Sequence, residues 1–148
     1  MGAASDGSRG VFAGGNSPTA ADNTIDYITI GVLGNGTDFG DRTVAKYGGS
    51  AASNGIRGVF GGAAPTVTTI DYINIGIASN AIDYGDLTAA RYYLASTSDG
   101  IKGLWLGGKV NPPVVDTIDY ITIGVPSNAT DWDELSQARS GGAAVSGN

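Results

Sequence analysis

Apolar and polar residues alternate along the chain in short runs that end at Gly, Asn, Asp or Pro, and no segment repeats its apolar positions at helical spacing. The clearest run, TIDYITIGV at Thr24 to Val32, returns as TIDYINIGI at Thr69 to Ile77 and as TIDYITIGV at Thr117 to Val125. The intervals between these starts are 45 and 48 residues, and the block from each Thr to Lys46, Arg91 or Arg139 keeps a 22-residue offset without insertion. A second phrase precedes each block: SDGSRGVFAGG at Ser5 to Gly15, SNGIRGVFGG at Ser53 to Gly62 and SDGIKGLWLGG at Ser98 to Gly108. Length varies above all in the connection from the double Gly to the Thr, which reads NSPTAADN, AAPTVT or KVNPPVVD.

The pattern predicts four short strands per unit. The first is a small-residue run, GGSAAS at Gly48 to Ser53, YLASTS at Tyr93 to Ser98 or GGAAVS at Gly141 to Ser146; MGAAS at Met1 to Ser5 aligns with it. It ends at Asn-Gly, Asp-Gly or Gly-Asn, dipeptides that tolerate the positive φ of tight hairpins. The second strand is RGVFAGG, RGVFGG or KGLWLGG, the third the TIDYITI run, and the fourth TDFGD, IDYGD or TDWDE. Because Ile25, Tyr27, Ile28 and Ile30 are not confined to one alternating face, the third strand is expected to be buried on both sides, as in a sheet between two others. Ala, Gly and Ser in the first strand suit a crowded position near an axis. A repeat of 40 to 50 residues with these features predicts an all-β fold, a β-propeller of four-stranded blades with three blades per chain. The expected units are 1–47, 48–92 and 93–139, with an extra strand over 140–148.

Composition narrows the partners. The chain of 148 residues is the size of one domain, and its 41% hydrophobic content is enough for a core. Net charge is -6, which disfavours nucleic acid and anionic membrane surfaces. No apolar run reaches membrane-spanning length, and MGAASDGSRG lacks the order of a signal peptide, so a soluble, non-exported chain is expected. The sequons at Asn35 and Asn128 are read as turns. With no His and no Cys, the common general base, thiol nucleophile and zinc ligands are missing, and no enzyme activity is expected.

Recurring polar residues are read first as architecture. The double glycines Gly14-Gly15, Gly61-Gly62 and Gly107-Gly108 allow positive φ or close backbone approach. Asp26, Asp71 and Asp119 fall in the third strand and are expected to accept backbone or Arg hydrogen bonds there. Arg91 and Arg139 hold a fixed spacing from them and are the expected partners, with Lys46 a poorer substitute because it lacks the planar fork. The acids Asp38/Asp41, Asp83/Asp86 and Asp131/Asp133/Glu134 could in principle hold Ca²⁺, but no loop offers an EF-hand ligand set, so no metal or cofactor is expected.

These elements resemble the kelch repeat: a second strand ending in a double Gly, a variable loop, Asp and Tyr in the third strand, an aromatic in the fourth, and a basic residue before the next unit. In the middle unit they are Gly61-Gly62, Asp71-Tyr72, Tyr84 and Arg91, and in the last Gly107-Gly108, Asp119-Tyr120, Trp132 and Arg139. The order of Asp and Tyr is reversed from the family's usual one, Trp stands only at Trp132, and Lys46 replaces Arg in the first unit. The wording TIDYITI, NATDW, LSQAR is most similar to degenerate kelch-like repeats in tailed-phage structural proteins. That resemblance implies a virion component, or a soluble cytoplasmic protein if the source is not a phage. A kelch-type copper oxidase would need His and a modified Cys, which this chain lacks.

Two function classes follow. One is a structural and assembly protein packing on other virion proteins. The other is a module that recognises a host-surface glycan or protein through loops on one face, with Asn16, Ser17, Thr19, Pro65, Thr66, Lys109, Asn111 and Pro112 as candidates because they vary in a constant frame. A pocket lined by Tyr and Trp would favour recognition, and a large apolar patch would favour assembly. Three blades are too few to close a ring, so a homodimer with six blades is expected, with a nine-bladed homotrimer or a piece of a longer repeat protein as alternatives.

Overall fold

The computed structural model describes residues 1–145 apart from Thr19 and Pro65. Among them are twelve strands and no helix, grouped in three four-stranded antiparallel sheets. Sheet I holds β1 (Gly2–Ser5), β2 (Arg9–Asn16), β3 (Ala21–Thr29) and β4 (Thr37–Asp41). Sheet II holds β5 (Ser50–Ser53), β6 (Arg57–Ala63), β7 (Val67–Asn74) and β8 (Ile82–Asp86). Sheet III holds β9 (Ala95–Ser98), β10 (Lys102–Leu106), β11 (Thr117–Thr122) and β12 (Thr130–Glu134). Within each sheet spatial order follows chain order. The arrangement is β-propeller-like.

Local chemistry sets the hairpins. After each first strand, Asp6, Asn54 or Asp99 accepts two backbone N–H donors from the start of the second strand, which closes the turn. Those donors also hold the Asp6 and Asp99 carboxylates below their usual range.

The first strands lie side by side. Ser53 Oγ donates to Ser5 O, Ser96 Oγ to Ala51 O and Ser98 Oγ to Ser53 O, over 2.6–3.0 Å. The second strand facing them must stay small too: a Cβ on Gly58 of β6 would stand 2.8 Å from the Ala4 Cβ of β1. The core is accordingly two layers between sheets. One joins Val11, Ile25 and Phe39 of sheet I to Phe60, Ile73 and Ile75 of sheet II. The other joins Val59, Ile70, Tyr84 and Leu87 of sheet II to Trp105, Ile121 and Ile123 of sheet III.

Three sequence expectations change. The third strand does carry apolar residues on both faces, Ile25 toward the following sheet and the positions of Ile28 and, just past the strand, Ile30 toward the preceding one with Asp26, but burial on both sides is not general. Among the described residues both faces are covered only in β7, because sheet II alone packs against a sheet on each side. The first strands β5 and β9 begin two residues later than expected, since Gly48 (φ 72°) and Tyr93 (φ 54°) turn the chain there. The tail over 141–145 is no strand, since no described strand forms a ladder with it; it lies beside β9, with Gly141 N–H donating to Tyr93 O and Thr97 Oγ1 to Val145 O. The last residues of the expected extra strand, 146–148, lie outside the described residues.

Candidate functional site

The chemistry-bearing side chains gather at the junctions between sheets. At the II/III junction Asp119, fully buried in β11, accepts Arg91 Nη2 at 2.6 Å, Thr88 N–H at 3.1 Å and Thr88 Oγ1 at 2.6 Å. Arg91, also fully buried, spends Nη1 on Gly107 O at 2.7 Å and Thr117 O at 2.9 Å. At the I/II junction Asp71, fully buried in β7, accepts Arg42 Nε at 3.1 Å and Nη2 at 2.9 Å, with Thr43 N–H and Oγ1 at 3.1 and 3.0 Å. Each carboxylate is thus saturated by donors from the loop that leaves the preceding sheet, which is what lets a charge sit in a dry junction.

This pairing corrects the expected one in two respects. The partner lies in the next unit, because the loop after the fourth strand runs onto the following sheet. The cation for Asp71 is Arg42, not Lys46. Lys46 is buried at the same junction without an ion pair among the described residues, and burial followed by the nearby Arg42 charge lowers its ammonium below the ordinary lysine range, against the pull of Asp71. Arg42 carried one signal in the sequence: of the five arginines it alone stands outside a repeated position, aligned with Leu87 and Leu135.

The double glycines are also out of register with one another. Gly14, Gly62 and Gly107 share φ near 62°, and a Cβ on Gly62 would meet Arg91 O at 2.6 Å. Gly61 corresponds instead to Ala13 and Leu106 in the ladders, and its bare Cα seats the Trp105 indole of sheet III. Gly15 and Gly108 donate their N–H to Lys46 O and Arg139 O, which ties each trailing loop to its own second strand.

The two outer edges carry the same residues without their counterparts. On sheet I, Asp26 is exposed, and Ile28 and Ile30 are 37% and 50% exposed where Ile73 and Ile75 are 2% and 0%. On sheet III, Trp132 is 48% exposed where Phe39 and Tyr84 are each 3%, and Arg139 is exposed with its Nε on Gln137 O. Tyr84 shows what such a residue does at a closed junction: its hydroxyl lies 2.5 Å from Thr122 O and 2.7 Å from Val125 O of sheet III.

An open groove of ≈ 680 Å³ runs along the first strands, lined by Ala, Gly, Ser and Thr together with Phe12, Asn54 and Val145. The variable loops project from a common end of the sheets. Asn16, Thr66, Asn111 and Pro112 are exposed there, Ser17 closes its own loop onto Ala20, and Lys109 is held in a two-way backbone bridge with Tyr92. Thr19 and Pro65 lie outside the described residues. The paired acids stay local: Asp38 accepts Gly40 N–H, Asp86 accepts Thr68 Oγ1 at 2.6 Å, and Asp133 accepts Glu134 N–H. No protein-family model matches the chain, and no curated protein is significantly similar to it.

Proposed function

We propose that this is a non-catalytic structural and assembly protein, a β-propeller whose three sheets are successive kelch-like blades and whose ring is completed by a second chain. The observation that carries the reading is the pair of apolar edges left by sheets I and III, each presenting residues that are buried wherever two sheets meet. Propellers close with about four to eight blades, and six is the multiple of three in that range. The resemblance to repeats of tailed-phage structural proteins supports a place in a virion, with other virion proteins as further partners and no role for nucleic acid or membrane. Light scattering on the purified chain tests the closure: twice the 14.8 kDa chain mass is expected, a stable folded monomer would refute it, and three times that mass would redirect it to nine blades.

A second reading, recognition of a host-surface glycan or protein, is favoured by the exposed Asn16, Thr66, Asn111 and Pro112 at one end of the sheets. A glycan array on the purified protein separates the two, since saturable binding lost on replacing the 109–113 loop would favour recognition.

A further inference from the structure

We propose that the open face of sheet III receives sheet I of a second copy of this chain, with Arg139 and Ser136 taking the partner copy's Asp26 and with Trp132 covering its Ile28 and Ile30. This rests on the reading of the sheets as blades of a ring closed by two chains.

The closed junctions supply the template. Asp71 and Asp119 each take a guanidinium plus the N–H and hydroxyl of a Thr from the preceding loop, Thr43 or Thr88. Asp26 occupies their register position in β3 and has no ion pair among the described residues. The position of Thr43 and Thr88 is filled in the last unit by Ser136, and that of Arg91 by Arg139. Sheet III therefore ends in a complete donor set with no carboxylate acceptor among the described residues, and sheet I begins with the acceptor.

The donor loop is already in place. Leu135 N–H donates to Asp116 O at 2.8 Å, as Leu87 N–H does to Thr68 O at 2.8 Å. Gly108 N–H donates to Arg139 O at 2.9 Å, as Gly15 N–H does to Lys46 O at 3.0 Å. Little ordering is left for association to impose on this backbone. A further cation follows the same logic. Arg9 and Arg57 reach across closed junctions to Ile75 O and Ile123 O, whereas Lys102, in the same position on sheet III, rests over the Trp132 ring at 4.4 Å.

Because the two edges differ, the contact is head-to-tail, and two chains close when each offers one edge of each kind. One competitor holds the place of the incoming β1: the tail over 141–145. It has no ladder, and beyond Gly141 its described hydrogen bond to sheet III is the one from Thr97. The incoming β1 arrives laddered to its own β2 and displaces it.

Charge exchange tests the contact. Asp26 and Arg139 are both exposed in the single chain, so D26R and R139D leave it folded. Each variant alone is expected to weaken self-association about a hundredfold or more, because both contacts of the ring then face like charges. An equimolar mixture restores the wild-type mass, since every contact again joins opposite charges. If wild type is a dimer and either single variant stays a dimer at the same concentration, this contact is wrong although the ring closure stands. If wild type is a monomer, both fail. Truncation after Ser140 is expected to leave association equal or tighter, and loss of the dimer would instead assign the seat to the tail.

Discussion

The junction between sheets I and II and the junction between II and III hold the same buried carboxylate with different cations. Asp119 is met by Arg91, and Leu87 fills the loop position four residues earlier with hydrocarbon. Asp71 is met by Arg42 from that earlier position, and Lys46 is left where Arg91 stands. The backbone ladder fixes the acid, while the loop can deliver a guanidinium from either of two places. Arg42 meets Asp71 through two nitrogens, whereas Arg91 spends one nitrogen on the carboxylate and another on two carbonyls, leaving its Nε buried without a partner among the described residues. The II/III solution thus ties more of the chain together, and the I/II solution makes the better ion pair.

The largest effect is expected from Arg91→Ala. It strands a fully buried Asp119 and two carbonyls, and the loss should be about 3–5 kcal/mol by urea denaturation at pH 7. A loss below about 1 kcal/mol would mean that the Thr88 donors suffice to keep the carboxylate dry. Next comes a rescue. Arg42→Leu should cost about 2–4 kcal/mol, somewhat less because Lys46 remains beside Asp71, and adding Lys46→Arg should restore stability to within about 1 kcal/mol of wild type. The double variant rewrites the first junction in the residues of the second. If it is no better than Arg42→Leu alone, the two loop positions are not equivalent.

The smallest effect concerns Lys46 itself. Its folded-state pKa lies below the ordinary value of 10.5, so in the window between them the unfolded chain holds more protons. The contribution of Lys46 to stability therefore rises with pH through that window. Lys46→Met should remove this rise and gain up to about 1 kcal/mol at pH 7, where a desolvated ammonium is replaced by apolar surface. Urea midpoints at pH 7 and pH 10 check both parts, and a variant clearly weaker at pH 7 would recast Lys46 as a needed counter-charge for Asp71.

Much of this architecture is set by the sequence alone. A thrice-written strand, tight-turn dipeptides and fixed spacing specify four-stranded units, and the fourth strands fall where the residues place them, over Thr37–Asp41, Ile82–Asp86 and Thr130–Glu134. Hydrogen bonding and alternation are local, so a repeat in the chain becomes a repeat in the backbone. What joins one unit to the next is not local. Spacing from Thr69 to Arg91 is the same as from Thr117 to Arg139, yet Arg91 is fully buried on Asp119 and Arg139 is exposed, because sheet III packs onto the first and no sheet among the described residues packs onto the second. Ile28 and Ile73 read alike in the chain and differ in burial for the same reason. The sequence determined the sheet, its turns and the carboxylate at its centre; only the packing of sheet on sheet decided which arginine reaches that carboxylate, since a side chain's partner depends on what lies across the junction and not on its neighbours along the strand.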